Sequence, residues 1–316
     1  MFNSLFEGQQ KHIQDESEVK RLDIIEIEIE KELKKCRLVV DKEAENGQVG
    51  DSEDFNKRGE LYKLAFDVAP LARQQDLTLL FDWIQPKEGE RVIDVSAGTG
   101  FLSIPLTKIT QSKTYAVDPS AIQLENLARK KGDLNIVNVV DSLSEDSCVE
   151  QMKEDIGNID LVTSYGGIHH VLDEERDGVV VDRQKKMFEN VSKMLKKGGR
   201  MIAGDVEDGS VLAKHFEGSV KDNCLTSHEE KWLSKERFES GLLDNTDLEI
   251  VRIDEVLVKW VFDSEREMSL FMKGLHAYDM SDKLVLEDLQ QYLGYREYLG
   301  KYELNWPMLF FHLEKR

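Results

Sequence analysis

Between residues 91 and 203, short apolar runs alternate with helical stretches, and few folds accept that pattern. The runs are Arg91–Val95, Thr114–Val117, Ile136–Val140, Leu161–Ser164 and Arg200–Ala203. Between them Ala121–Lys131, Ser144–Asp155 and Arg183–Leu195 read as helices, and Gly198-Gly199 reads as a helix-ending turn into the fifth run. Successive strands joined by helices lie parallel and are covered on both faces, so the pattern predicts an α/β fold with a doubly wound sheet.

The first run ends in Asp94-Val-Ser-Ala-Gly-Thr-Gly100, which predicts a strand breaking into a tight glycine turn that opens the helix Phe101–Lys108. Glycine serves there because the turn needs backbone angles that side chains resist and because the main chain must approach a ligand closely. The N–H groups at the start of the helix favour an anionic group. Dinucleotide and methyl-donor folds share such a turn. Asp94 stands where a dinucleotide pyrophosphate would be repelled, and Gly-Thr-Gly-Phe-Leu-Ser103 lacks the third glycine of the dinucleotide pattern. The second run ends in Asp118, whose carboxylate can accept hydrogen bonds from both hydroxyls of a ribose. Two acids at two strand tips are hard to explain by packing, because unpaired carboxylates are seldom buried.

From about Leu64 to Val206 the chain resembles the class I S-adenosylmethionine-dependent methyltransferases. Asp94 to Gly100 looks like that family's first signature and Val117-Asp-Pro-Ser120 like its ribose motif. Val140-Asp-Ser-Leu143 falls where the family contacts adenine. Asp160 to Val171 looks like its fourth-strand segment with a His-His-Val continuation, and Met194 to Ala203 like the block before strand five. Ser96 stands where many members carry the first glycine, and Lys197 where most carry proline. The resemblance implies S-adenosylmethionine as cofactor, held by Asp94, Ser96, Ala97, Gly98, Gly100, Asp118, Pro119, Ser120, Asp141, Ser142, Leu143, Ser164 and Tyr165. It also implies a small-molecule acceptor attacked through oxygen or nitrogen, because the family's Asn-Pro-Pro-Tyr clamp for planar amines is replaced by Ser164-Tyr-Gly-Gly167.

Methyl transfer from a sulfonium requires alignment and no metal; well-oriented pairs can gain roughly 7–11 kcal/mol. A base is needed only if the nucleophile loses a proton. His169 and His170 follow the fourth strand, at the sheet edge where ligands bind, and are the candidate catalytic bases; packed structural histidines are the alternative. Tyr165 could line the site or the core, and His228 with Trp232 could reach the acceptor or pack within a lid. Tyr62 could close over the cofactor, while Trp260 and Trp306 read as buried strand residues.

The net charge, 42 − 62 = −20, opposes nucleic-acid partners, which need a basic face. Cys36, Cys148 and Cys224 are widely separated and form no metal-type pair, which fits reduced thiols in a cytoplasmic protein. No secretion signal is read at the start, and no apolar run is long enough to span a bilayer. Leu22, Ile25, Ile29, Leu33, Cys36 and Val40 recur at helical spacing, predicting a helix whose stripe is buried on its own domain or, as a homodimer, on a second copy. Glu43 to Phe55 reads as a linker. Helices are expected at Glu60–Phe66 and Pro70–Trp83 and, beyond the core, at Ser234–Leu243, Glu265–Leu275 and Lys283–Leu293. Leu248–Val261 and Tyr302–Leu313 would complete a seven-stranded sheet, the last strand antiparallel. The expected organisation is an N-terminal extension and linker over 1–58, a cofactor-binding core over 59–205, and a lid, last strands and helical insertion over 206–316 of the same domain. The competing readings are a catalytically silent cofactor-binding subunit and an NAD-dependent oxidoreductase.

Overall fold

The computed structural model describes residues 16–45, 55–176, 178–226 and 228–316. Three helices come first: α1 (Glu16–Glu45), α2 (Phe55–Val68) and α3 (Gln74–Ile84). The alternating region then runs β1 (Val92–Val95), α4 (Ser103–Thr110), β2 (Thr114–Asp118), α5 (Ala121–Lys130), β3 (Ile136–Val140), α6 (Asp146–Gln151) and β4 (Ile159–Tyr165). A small hairpin, β5 (Glu174–Arg176) and β6 (Val179–Val181), precedes α7 (Arg183–Met194) and β7 (Leu195–Asp205). Three short helices follow, α8 (Val211–His215), α9 (Lys221–Asn223) and α10 (Lys235–Arg237). The chain closes with β8 (Leu248–Phe262), α11 (Glu265–His276), α12 (Asp282–Tyr292), β9 (Tyr295–Tyr298) and β10 (Lys301–Lys315).

The sheet order is β3-β2-β1-β4-β7-β10-β8, with β9 paired to one end of β10. Neighbours among the first five strands are parallel, and β10 is antiparallel to both β7 and β8. All four residues of β1 are buried, as expected of a central strand covered on both faces. The expected seven-stranded, mostly parallel sheet therefore forms, extended by the short β9. Because β2, β1 and β4 run parallel, their C-terminal tips share one edge, where the strand order reverses between β1 and β4.

One local expectation changes, and one open choice is decided. Helix α7 ends at Met194, where the chain goes straight into extended backbone at Leu195. Gly198, at φ 71°, instead shapes the irregular stretch of β7 between its pairings with Ile159 and Leu161. The stripe of α1 faces its own chain: Leu22, Ile29, Leu33 and Cys36 are buried in the main core cluster. Ion pairs pin the helix there, Arg266 to Asp23 at 2.6 Å and Lys273 to Glu30 at 2.7 Å. The Arg21 guanidinium also donates to the Asp67 and Val68 carbonyls at the end of α2, at 2.7 and 2.9 Å. Of the two placements expected for the stripe, burial on its own domain is the one found. Residues 46–54 of the expected linker lie outside the described residues.

Candidate active site

At the tip of β1 the chain turns through Ser96 at φ 57°, Gly98 at φ 52° and Gly100 at φ 90°. Ser96 adopts a conformation that glycine enters without cost and other residues at about 1–2 kcal/mol. Its side chain rests against Gly167, where an added Cβ would lie 2.3 Å from the Ser96 Cβ. The turn after β4 thus makes room for the side chain that the turn after β1 carries. No atom lies within 4 Å of the place a Cβ would take at Gly98 or Gly166, so both glycines border open space.

Asp94 is buried and accepts a hydrogen bond from the Ser103 hydroxyl at 2.5 Å. Burial pushes its carboxyl up to about 7, and Asp118 adds a like charge; among the described residues no basic side chain offsets it. Asp118 accepts from the Gly98 and Ser120 backbone N–H groups, each at 2.8 Å, yet burial still raises it to about 6. The Ser164 hydroxyl, at the tip of β4, is buried without a hydrogen-bond partner among the described residues. Together these groups suit a ligand that brings a cationic amine and a sugar diol.

Beside the turn lies a cleft lined by Ser96, Val117, Pro119, Asp141, Ser142, Leu143, Gly167 and His170. Asp141 is fixed there, its carboxylate accepting from the Ser142 N–H at 2.8 Å and the Ser147 hydroxyl at 2.7 Å. Ala97 is buried in a small cluster with Leu124 and Leu127, and the Ser120 hydroxyl caps α5 at Gln123. Those two residues shape the turns around the cleft and do not line it.

His170 also lines a second, inner chamber of about 100 Å³. Its walls include Tyr62 of α2, Arg73, Tyr165, Gly166, His169, Phe216, His228, His276 and the stacked pair Trp260 and Trp306, whose rings lie 3.8 Å apart. The tryptophans are buried, as expected, and they also form a wall. The Tyr165 hydroxyl donates to Asp76 at 2.8 Å, and Asp76 accepts from Arg73 Nε at 2.7 Å. Tyr165 therefore offers the chamber its ring and not its hydroxyl.

His169 is buried, and its Nδ1 donates to Asp205 Oδ1 at 2.6 Å. Asp205, at the tip of β7, also accepts from the Ile168 and Val206 N–H groups, each at 2.7 Å. Burial alone would raise this carboxyl, but His169 and those donors hold it below the usual carboxylate range. His170 is half-buried, and loss of surrounding water, together with His169 and Arg58 beside it, drives it well below the usual histidine range and leaves it neutral. His228 arrives from the segment after β7, its Nδ1 2.9 Å from Glu230 Oε2. Lys231 N–H donates to the His169 carbonyl at 2.8 Å, tying that segment to the histidine pair. His169, His170 and His228 each bring a ring nitrogen to within 4.8 Å of the others.

Residues 93–201 match the family model described as a methyltransferase domain. No curated protein sequence matches the chain significantly. Among solved structures, the YcgJ protein of Bacillus subtilis is similar over 76% of this chain and 97% of its own, at 14% identity and a TM-score of 0.52. An S-adenosylmethionine-dependent methyltransferase of Anabaena variabilis is similar over 78% of this chain and 86% of its own, at 15% identity and a TM-score of 0.52. Likeness at such identity speaks to the fold. The match of residues 93–201 makes the enzyme a methyltransferase and sets the oxidoreductase reading aside.

Sequence reading of this methyltransferase missed Asp205, Glu230 and the convergence of His228 on the histidine pair. Asp205 carries the same signal as Asp94 and Asp118, an acid at a strand tip, and could have been found by it. His228 lies 58 residues beyond His170 with no motif linking them, so only the fold brings them together. Among the described residues no helix is long and apolar enough to cross a membrane.

Proposed function

We propose that the enzyme methylates an oxygen or nitrogen of a small molecule held in the inner chamber. The observation that carries this reading is that His170 lines both the cleft and the chamber, so the two cavities meet beside the His169–Asp205 pair. The aromatic walls of the chamber suit an acceptor with an apolar body. Bound S-adenosylmethionine supplies a methyl carbon made electrophilic by its sulfonium.

In this reading Asp94 takes the cofactor's ammonium, with Ser96, Ala97, Gly98 and Gly100 shaping the turn around its methionine end. Asp118 takes the ribose hydroxyls, Pro119, Ser120, Asp141, Ser142 and Leu143 bound the adenine, and Ser164 and Tyr165 close the floor. With Nδ1–H given to Asp205, His169 carries its lone pair on Nε2, where it can accept the acceptor's proton. His170 stays neutral and packs the junction. Residues 59–205 then supply the cofactor half and 206–316 most of the acceptor half of one domain. We place the enzyme in the cytoplasm, since Cys36, Cys148 and Cys224 form no disulfide.

Screening a metabolite panel for methyl transfer, then comparing variants on the acceptor found, tests this reading. His169→Ala should lower kcat by about 10²–10⁴-fold, with Asp205→Asn lowering it in the same direction. S-adenosylhomocysteine affinity should change by no more than about twofold, because neither residue touches the cleft. Unchanged turnover in both variants would remove the pair from the reaction.

A further inference from the structure

A proton-accepting pair needs one imidazole and one carboxylate, and the chamber holds more than that. His228 has its own carboxylate, with Nδ1 2.9 Å from Glu230 Oε2, just as His169 Nδ1 lies 2.6 Å from Asp205 Oδ1. A carboxylate on one ring nitrogen fixes the tautomer and the ring plane and places the lone pair on the other nitrogen. His170, which lies against the backbone of Glu229, is the third ring, and the segment 228–230 therefore orients two of the three. All three ligand nitrogens fall within 4.8 Å of one another.

We propose that His169, His170 and His228 bind a divalent transition metal of the zinc class, with its remaining position turned to the chamber. Three neutral imidazoles suit zinc, cobalt or nickel, whereas magnesium and calcium demand oxygen ligands. Nitrogens on a tetrahedral ion at about 2.0–2.1 Å lie about 3.3 Å apart, so the rings must close by about an ångström on binding. Asp205 and Glu230 would then be the outer carboxylates that orient ligands and offset the ion's charge. The site itself does not depend on the chamber being the acceptor site; its catalytic use rests on that reading. There the ion would hold an acceptor hydroxyl and lower its pKa, the proton leaving to solvent, and His169 would hold metal in place of a proton.

The test uses tag-free, full-length protein stripped with chelator, then titrated with zinc chloride by calorimetry and with cobalt chloride by visible absorption. We expect one ion per chain and the intense absorption of four-coordinate cobalt. Affinity should fall by about tenfold or more in Asp205→Asn and the site should be lost in His228→Ala. S-adenosylhomocysteine binding, measured on each variant, reports that the fold is intact. No saturable uptake by wild-type protein that binds S-adenosylhomocysteine overturns the proposal, as does unchanged uptake in His228→Ala. Methyl transfer that survives chelation would remove the metal from the reaction while leaving the transferase reading standing.

Discussion

Burial pushes the Asp94 carboxyl up to about 7 and Asp118 to about 6, and in the proposed reading both effects act on cofactor binding. A carboxyl raised in the folded state favours folding most at low pH, and that contribution is lost as pH rises through the folded value. A cationic amine reverses the preference, because it binds the ionised form. S-adenosylmethionine affinity should therefore tighten several-fold from about pH 6 to about pH 8 as Asp94 loses its proton. Asp94→Asn should bind at least about tenfold more weakly, with the dependence left to Asp118 alone. Titration calorimetry across that range checks this, and equal affinities for wild type and Asp94→Asn at about pH 8 would sink it. The acids at the tips of β1 and β2 were legible because a bare carboxylate at a strand end beside a glycine turn has few structural uses. Asp205 has the same position but follows no glycine motif, and its partner His169 lies 36 residues earlier, so the pairing is a product of the β4–β7 register.

At the scale of elements, the turns after β1 and β4 fit each other through one contact. Ser96 holds φ 57°, and Gly167 leaves the space that its side chain fills. Gly167→Ala should lower stability by about 1–3 kcal/mol through overpacking and weaken cofactor binding. Ser96→Gly should raise stability by up to about 1–2 kcal/mol by relieving the left-handed conformation, less the entropy that glycine loses. The double variant should recover most of the Gly167→Ala loss, which a double-mutant cycle in urea would measure as a clear coupling. Additive effects would mean the two turns do not depend on each other. The sequence showed Ser96 standing where the resembled family carries glycine; it could not show that Gly167 makes room for that side chain. Periodicity placed the five parallel strands, α5, α7 and α11 to within a few residues, because each buries a regular face. It was silent on the hairpin β5–β6, whose Val179 and Val180 are exposed, and on the stretch from α8 to α9, which passes through a wider turn at Phe216–Val220.

In the whole molecule, the sheet edge carries two cavities with different tasks. The cleft is built by β1, β2 and the turns after β1, β2, β3 and β4, all in the region where the sequence pattern is strongest. The chamber draws on α2, the tip of β4, the segment after β7, and β8, α11 and β10. Its residues come from at least five stretches with no shared motif, so Trp260 and Trp306 read singly as packing, and nothing joined His228 to the candidate bases His169 and His170. The donor was therefore legible along the chain and the acceptor site only in three dimensions. The N-terminal helix belongs to the same body: buried on α2 and α11, it backs the wall from which Tyr62 reaches the chamber. The central claim is that the methyl group is presented where cleft and chamber meet. A crystal structure with S-adenosylhomocysteine bound measures this directly through the position of the sulfur. The account predicts adenine beside Asp141 to Leu143, ribose on Asp118, and the sulfur facing the chamber next to His170 and Gly166. A sulfur turned away from the chamber toward open solvent, or a nucleoside seated elsewhere, would contradict it.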